Sequence, residues 1–486
     1  MQRLSPRFPL GLIHLCVAVA LLVLAMDNAH AQSLKFATPS PSGNSKSDPT
    51  NNPIPVPGSG KVYIGAHIDW NAEAPEAYAT TSGLDLLGYG LFLPFPLSSG
   101  DFGYFQDKIL NQPYPSASSD GNTRSQLMLT LEPVAGGLAM AANNASAVAD
   151  VVAVCKLLNE RGVSVFLRFA HEMNGWWSFW AMRPTAYKAA FRAIALGIQA
   201  CKTCTATAMV WAPQVGVGYP WGLDIPLNQP GFFTANPGYG NIDVNELKTL
   251  DTNGDGKIAS GDEPYEPYWP GDDVVDWVGL SIYYAGRNYG EPSEPWPTMF
   301  SNGLQGFDFA DGVTVQAPNF YQIYCVSRKK PFTLAETSLM HIKYDSLGTA
   351  ANATRLKLKQ DWWRQTINAT LFDQFPNYRS TWLFEFAKED TIPGVIEDFS
   401  YTFDAATRAA FKADLPTSRM VFGRSNYVNL ANYTSSLSTL RTSGSSGSPG
   451  SPPTSNDAPT KIEKPYILLR VFSSLVIVMV GGALLL

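Results

Sequence analysis

Reactive residues are scarce in this chain: five cysteines and five histidines stand among 486 residues. Cys16 lies in an apolar run near the start, which leaves Cys155, Cys201, Cys204 and Cys325 for the body of the protein. Four cysteines allow three full pairings, and spacing does not choose among them. The Cys201-Lys202-Thr203-Cys204 pair suits a local bridge. It has no second such pair and no histidine companion, which argues against zinc. Charge is thin too. Charged residues make up 16% of the chain, and Asp and Glu outnumber Lys and Arg by 41 to 35, a net of −6. Without a basic surplus, nucleic acid and anionic lipid faces are not expected partners; a neutral polysaccharide suits this surface better.

Long apolar runs occur only toward the two ends. Arg3 and Arg7 precede the stretch from Leu10 to Leu24, and Ala29-His30-Ala31 follows as a small-x-small site. That is the pattern of a secretory signal over residues 1–31, with a retained signal anchor as the competing reading. Toward the other end, small residues around Ser455-Asn456-Asp457-Ala458 and a polar spacer, Thr460 to Lys464, precede an apolar tail from Tyr466. This order matches a glycosylphosphatidylinositol attachment signal, with Asn456 or Ser455 as the lipidation residue and 457–486 as the propeptide. A spanning helix competes, but Val471 to Leu486 is shorter than the roughly 20 residues a bilayer needs. Segments 1–31 and 457–486 each carry net +1, so the remainder stands at −8. The expectation is a monomer held by lipid on the outer face of the plasma membrane or in the wall. A secretory route permits disulfides and would glycosylate Asn144, Asn352, Asn368 and Asn432, all in Asn-x-Ser/Thr.

Residues 32–60 and the stalk 433–456 are rich in Pro, Ser and Gly and bury too little to fold alone. The folded body is therefore 61–432. Eight strand-like runs recur in it: Lys61 to Trp70, Leu86 to Leu93, Gln126 to Leu131, Val163 to Ala170, Ala206 to Pro213, Val274 to Tyr284, Pro331 to Ala335 and Ser380 to Phe386. Helical periodicity lies between several of them, as in Ala147 to Arg161, Pro184 to Ala200 and Leu356 to Thr370. The alternation predicts an α/β fold, a (β/α)₈ TIM barrel with its site at the C-terminal strand ends. Residues 214–273 form a long insertion between strands five and six. Within it Asp251, Asn253, Asp255, Lys257 and Asp262 stand at the spacing of an EF-hand-type loop, with Gly256 at the turn. A structural calcium ion is expected there, with an Asx-rich turn as the alternative; catalysis needs no cofactor.

Strand four ends in His171-Glu172-Met173-Asn174-Gly175-Trp176-Trp177, a carboxylic acid beside a histidine and two indoles. Aromatic faces grip sugar rings, and two carboxyl groups flanking a glycosidic bond can cleave it. The second acid is Glu336, at the end of strand seven in Leu334-Ala335-Glu336-Thr337-Ser338. Glu172 suits the proton donor and Glu336 the nucleophile, steadied by a hydroxyl of Tyr283 or Tyr284. His67 and Asp69 end strand one on the same rim, where either could touch sugar or instead make a satisfied rim hydrogen bond. Glu132, after strand three, either lines the cleft or caps and pairs locally, and Glu385 is equally open; Trp382 on strand eight suits core packing as well as a sugar platform. A second histidine three residues beyond Glu172 is absent, so the segment is not a zincin.

Arg168 to Trp177 resembles the acid/base motif of glycoside hydrolase family 26. Asp276 to Tyr283 and Leu334-Ala335-Glu336 resemble that family's sixth and seventh strands. The resemblance implies a retaining endo-β-mannanase, with β-1,3-xylan or mixed-linkage β-glucan as other substrates in the family. It implies Glu172 as acid/base, Glu336 as nucleophile and His171 as a positioning residue. It further implies Tyr283 bonded to the nucleophile, and Trp176 or Trp177 and Trp382 as sugar platforms. Thr337-Ser338 departs from the Phe-Gly frequent after the nucleophile, and the insertion is unusually long. A glycan-binding wall protein that has lost its chemistry is the contrasting class.

Overall fold

The computed structural model describes residues 52–228, 242–287, 292–343, 349–389 and 396–432. The segments expected as signal (1–31), stalk (433–456, with Asn456) and propeptide (457–486), and most of the expected linker, lie outside these residues.

Eight parallel strands close into a barrel: β1 (Val62–Ile68), β2 (Gly88–Phe95), β3 (Ser125–Pro133), β4 (Val163–Phe169), β5 (Thr207–Trp211), β6 (Trp277–Tyr284), β7 (Phe332–Leu339) and β8 (Tyr378–Glu385). Each pairs with the next, and β8 returns to β1 through Gly65↔Trp382 and His67↔Phe384. The expected TIM barrel and its insertion between β5 and β6 are both present. Helices run between the strands; Ala145–Glu160 and Pro184–Ala200 follow the expected periodicity. The stretch read as one helix from Leu356 to Thr370 is two, Thr349–Thr366 and Ala369–Gln374. The break comes where the Asn368 side chain accepts from Leu371 N and starts a new cap.

Alternation along the strands separates two cores. On β4, Val163, Val165, Leu167 and Phe169 face the helices, whereas Phe166 faces the barrel axis with Met128, Trp277, Ala335 and Trp382. Trp382 fits there because β1 and β2 carry Gly65 and Gly88 opposite it. A methyl group on Gly65 would come within 2.5 Å of the indole. The outward-facing apolar side chains bury the helix shell and supply the main drive for folding, at about 25 cal/mol per Å² removed from water.

β7 contains an irregularity that sets the site. Its register against β6 runs Leu334↔Leu280 and then Glu336↔Ser281, so Ala335 is an extra residue. A bulge of this kind shifts the alternation by one. Ala335 faces the barrel core, and Glu336, which strict alternation would turn outward, is swung to the mouth.

Cys201 and Cys204 form a disulfide, whereas Cys155 and Cys325 are buried and free. The insertion packs back on the barrel through paired cations: Arg192 reaches Asp273 at 2.8 Å, and Arg328 reaches Asp272 at 3.2 Å.

Candidate active site

Glu336 is 3% exposed at the mouth of the barrel. Arg168, the last inward residue of β4, donates through Nη2 to its Oε1. Arg168 is itself fixed by a bond from Nε to Thr130 Oγ1 at 2.9 Å and lies over the Phe92 ring. Tyr283 Oη donates to the other oxygen at 2.5 Å. Burial alone would raise this carboxyl. The adjacent guanidinium, the two nearby imidazoles and the phenol overcome it and hold Glu336 at about 2.

The imidazoles are themselves driven toward neutrality. Burial, aided by Arg168, brings His67 down to about 4 and His171 to about 3. At neutral pH the hold on Glu336 therefore rests on Arg168 and Tyr283. His67 is fully buried and places Nε2 2.9 Å from the carbonyl of Ala335, the bulged residue. Of the two readings of His67, sugar contact gives way to a satisfied hydrogen bond: it braces the bulge from below. Gly90 makes the room, since a methyl there would meet the ring at 1.9 Å.

Glu172 is reached differently. The chain leaves β4 through Ala170 and Glu172, both with left-handed backbone at φ 50° and 53°. Each such residue costs on the order of 1–3 kcal/mol and persists only where its surroundings fix it. Here Glu172 N donates to Ala212 O at 2.9 Å, and Trp180 Nε1 donates to His171 O at 2.6 Å. The carboxylate accepts from Trp177 Nε1 at 2.9 Å. The Gln214 amide, oriented by its neighbours, donates to Glu172 Oε1 at 3.2 Å and to Ser281 O at 2.9 Å. Asn174 clasps the Gln214 backbone in both directions, at 2.9 and 2.8 Å, and so locks that amide in place. Trp177 is 4% exposed and packs on Trp221 at 5.0 Å, within a cluster that includes Tyr219. Of the two indoles expected as platforms, Trp177 is thus a donor to the acid, and Trp176 keeps a partly exposed face.

His171 lies beside Glu336, its Nε2 4.0 Å from Oε1. Trp382 is corrected outright: it is fully buried in the barrel core, with its Nε1 donating to Ser380 Oγ. At the mouth of β8, Phe386 is partly exposed and stacks on buried Phe384 at 4.7 Å. Glu385 accepts from Tyr401 N, Thr402 N and Thr402 Oγ1, and so braces a loop. Thr337 accepts from Trp362 Nε1, and Ser338 donates to Phe399 O, so both hydroxyls serve packing.

The expected calcium ligands do not converge. Asp251, Asn253, Asp255 and Asp262 accept backbone N–H groups of Gly256, Asp255, Lys257, and Thr252 with Ala259. Asp251 Oδ1 alone is buried without a donor, and no group of three or more acidic, histidine or cysteine ligands gathers among the described residues. The loop is thus an Asx-bonded turn with one buried carboxylate oxygen left over, and the calcium ion stays an expectation from the spacing alone. Of the glycan acceptors, Asn144 is exposed and caps a helix, Asn368 is half-buried and also caps one, and the side chains of Asn352 and Asn432 lie outside the described set.

Arg168 and Gln214 were not among the sequence-derived site residues. Arg168 left a signal: a lone cation on an otherwise apolar buried strand is seldom there without a partner. Gln214 left none.

Residues 125–218 match the model of glycosyl hydrolase family 26. The resemblance read from the sequence is thereby borne out over β3 to β5, a span that holds Arg168, His171, Glu172, Trp177 and Gln214. No curated protein matches the chain. Among solved structures it is similar to the Bacillus subtilis mannanase BCman (13% identity, 78% of this chain and 95% of that one, TM-score 0.39). It is also similar to a Cellulomonas fimi endo-β-1,4-mannanase double mutant (14%, 77% and 74%, TM-score 0.42). A third is the β-mannanase from a symbiotic protist of the termite Reticulitermes speratus (14%, 80% and 96%, TM-score 0.37). These likenesses are distant.

Proposed function

We propose that this protein is a retaining endo-glycoside hydrolase that cleaves β-1,4-mannan or a related β-linked polysaccharide. The observation that carries the reading is the hold on Glu336: a carboxyl kept ionised by a buried guanidinium and a phenol, at the same mouth as Glu172. Glu172 gives its proton to the departing glycosidic oxygen while Glu336 attacks the anomeric carbon, forming a covalent glycosyl-enzyme. Water then attacks the anomeric carbon, giving one proton to Glu172 and releasing Glu336 as carboxylate. The match to a glycosyl hydrolase family supports hydrolysis, and the sequence resemblance supports mannan before β-1,3-xylan or mixed-linkage glucan. Secretion and a lipid tether, expected from the apolar segments, belong to the same proposal; release of the protein from cells by a phosphatidylinositol-specific phospholipase tests them.

The enzymatic test is reducing-end release from these three polymers by wild type, Glu172→Ala and Glu336→Ala. Cleavage by wild type that both variants lose is the expected result. Equal null traces with polymer binding intact would replace hydrolysis by a binding role.

A further inference from the structure

A third carboxyl stands at the same mouth, and the mechanism above does not use it. Glu132 follows Leu131, which pairs with Phe169 of β4, and itself pairs with Pro94 of β2. Thr130, two residues earlier on the same face of β3, takes the Arg168 bond inside the barrel. Alternation therefore aims Glu132 inward, one step nearer the opening than Thr130. Its side chain is partly accessible and makes no hydrogen bond or ion pair with any described residue. That is unusual company for an inward carboxyl, since buried polar groups normally find partners.

We propose that Glu132 is a substrate-binding residue whose carboxyl hydrogen-bonds a neutral hydroxyl of the sugar in the cleft. The inference rests on the glycoside-hydrolase reading and names a contact within that site. Removal from water comes first among the influences on Glu132, followed by the charges of Glu336 and, less strongly, Glu172. Together they raise it to about 8 against the pull of Arg168. The other titratable groups of the pocket, His67, His171 and Tyr283, are neutral near pH 7, because burial lowers the two imidazoles and raises the phenol well above its usual range. Below pH 8 Glu132 is an acid with both a donor and an acceptor. This suits a hydroxyl and disfavours a second carboxylate such as a uronate. Above that pH the donor is lost and a third negative charge faces the substrate.

The experiment measures kcat and KM of the full chain, Glu132→Gln and Glu132→Ala, on the polymer that wild type cleaves, from pH 5 to 9. Glu132→Ala is expected to raise KM about tenfold at pH 6 with kcat little changed, the scale of one lost hydrogen bond. Glu132→Gln, which keeps a donor and an acceptor, stays within about twofold. Wild-type KM climbs above about pH 8, whereas that of Glu132→Gln stays flat. An unchanged Glu132→Ala, a Glu132→Gln as weak as Ala, or the same alkaline climb in Glu132→Gln overturns the assignment. So does loss of folding in both variants, which would make the residue structural. If wild type cleaves nothing, hydrolysis fails, and titration with a β-1,4-linked manno-oligosaccharide at pH 6 and 9 decides Glu132 separately. Equal affinity in wild type and Glu132→Ala at both pH values rejects it.

Discussion

Glu336 and Glu172 share one barrel mouth but are held in contrasting ways. Glu336 sits on a bulged strand, gripped by a cation that is itself anchored inside the barrel. Glu172 sits on a left-handed turn beyond its strand and accepts from an indole and an amide, both uncharged. A cation fixes a carboxylate in its ionised form, as a nucleophile requires. Uncharged donors fix geometry with less cost to taking on a proton, as an acid/base requires. The neighbours, more than the strand position, support the two roles proposed for these carboxyl groups.

The sharpest way to break this contrast is to remove each acid and vary the leaving group. Glu172→Ala is expected to lose about 10²- to 10⁴-fold on polymer, the usual scale of general acid–base help. An aryl glycoside whose leaving group needs no proton should recover the first step, with a burst of released phenol. Glu336→Ala should recover nothing on either substrate. A burst from Glu336→Ala, or its absence from Glu172→Ala, would reverse or abolish the assignment.

Arg168→Met tests the cation. Loss of one preorganised electrostatic partner costs about 10²- to 10³-fold in kcat/KM. The pH dependence carries more information. In wild type Glu336 is ionised down to about pH 2, so it does not limit the rate between pH 4 and 7. Without Arg168, burial acts unopposed, the carboxyl rises, and kcat/KM should fall as pH drops through that window. Stability follows the same sign. A carboxyl depressed in the fold contributes above its unfolded value of about 4.5, and this contribution fades as pH falls toward 2. Cutting one side of a buried pair also destabilises, by about 3–5 kcal/mol, which thermal melting at pH 7 measures. An unaltered pH profile would mean that Tyr283 alone keeps Glu336 ionised.

The same contrast explains what could be read from the sequence. Barrel strands announce themselves as apolar runs between helical stretches, so eight strands and both glutamates were legible. The bulge was not, because it exists only in the register between β6 and β7; from the sequence Glu336 is simply the residue at a strand end. Trp382 and Trp177 show the limit of reading aromatics as sugar platforms. An indole facing two glycines on neighbouring strands fills the barrel, as Trp382 does against Gly65 and Gly88. An indole five residues beyond an acid can fold back onto it, as Trp177 does. Neither outcome depends on local composition; both are set by which backbones come close. The calcium loop is the converse, a spacing legible in the sequence whose side chains brace their own turn through backbone N–H groups, with or without an ion.

The smallest expected effect is the most selective. Trp177→Phe keeps a ring against Trp221 and removes one N–H from Glu172. Losing a hydrogen bond to a carboxylate costs about 1.5–3 kcal/mol where the bond is fully formed. Gln214 still holds the other oxygen, so the lower end applies, about tenfold in kcat on polymer. The first step on the aryl glycoside, read as the burst of phenol, should be as fast as in wild type, because that departure needs no proton. Gln214→Leu should act in the same direction, and the double variant more than additively, since each donor limits the freedom left by the other. If Trp177→Phe slowed both substrates equally, the indole would be supporting the whole mouth, and the two acids would differ less in their support than their neighbours suggest.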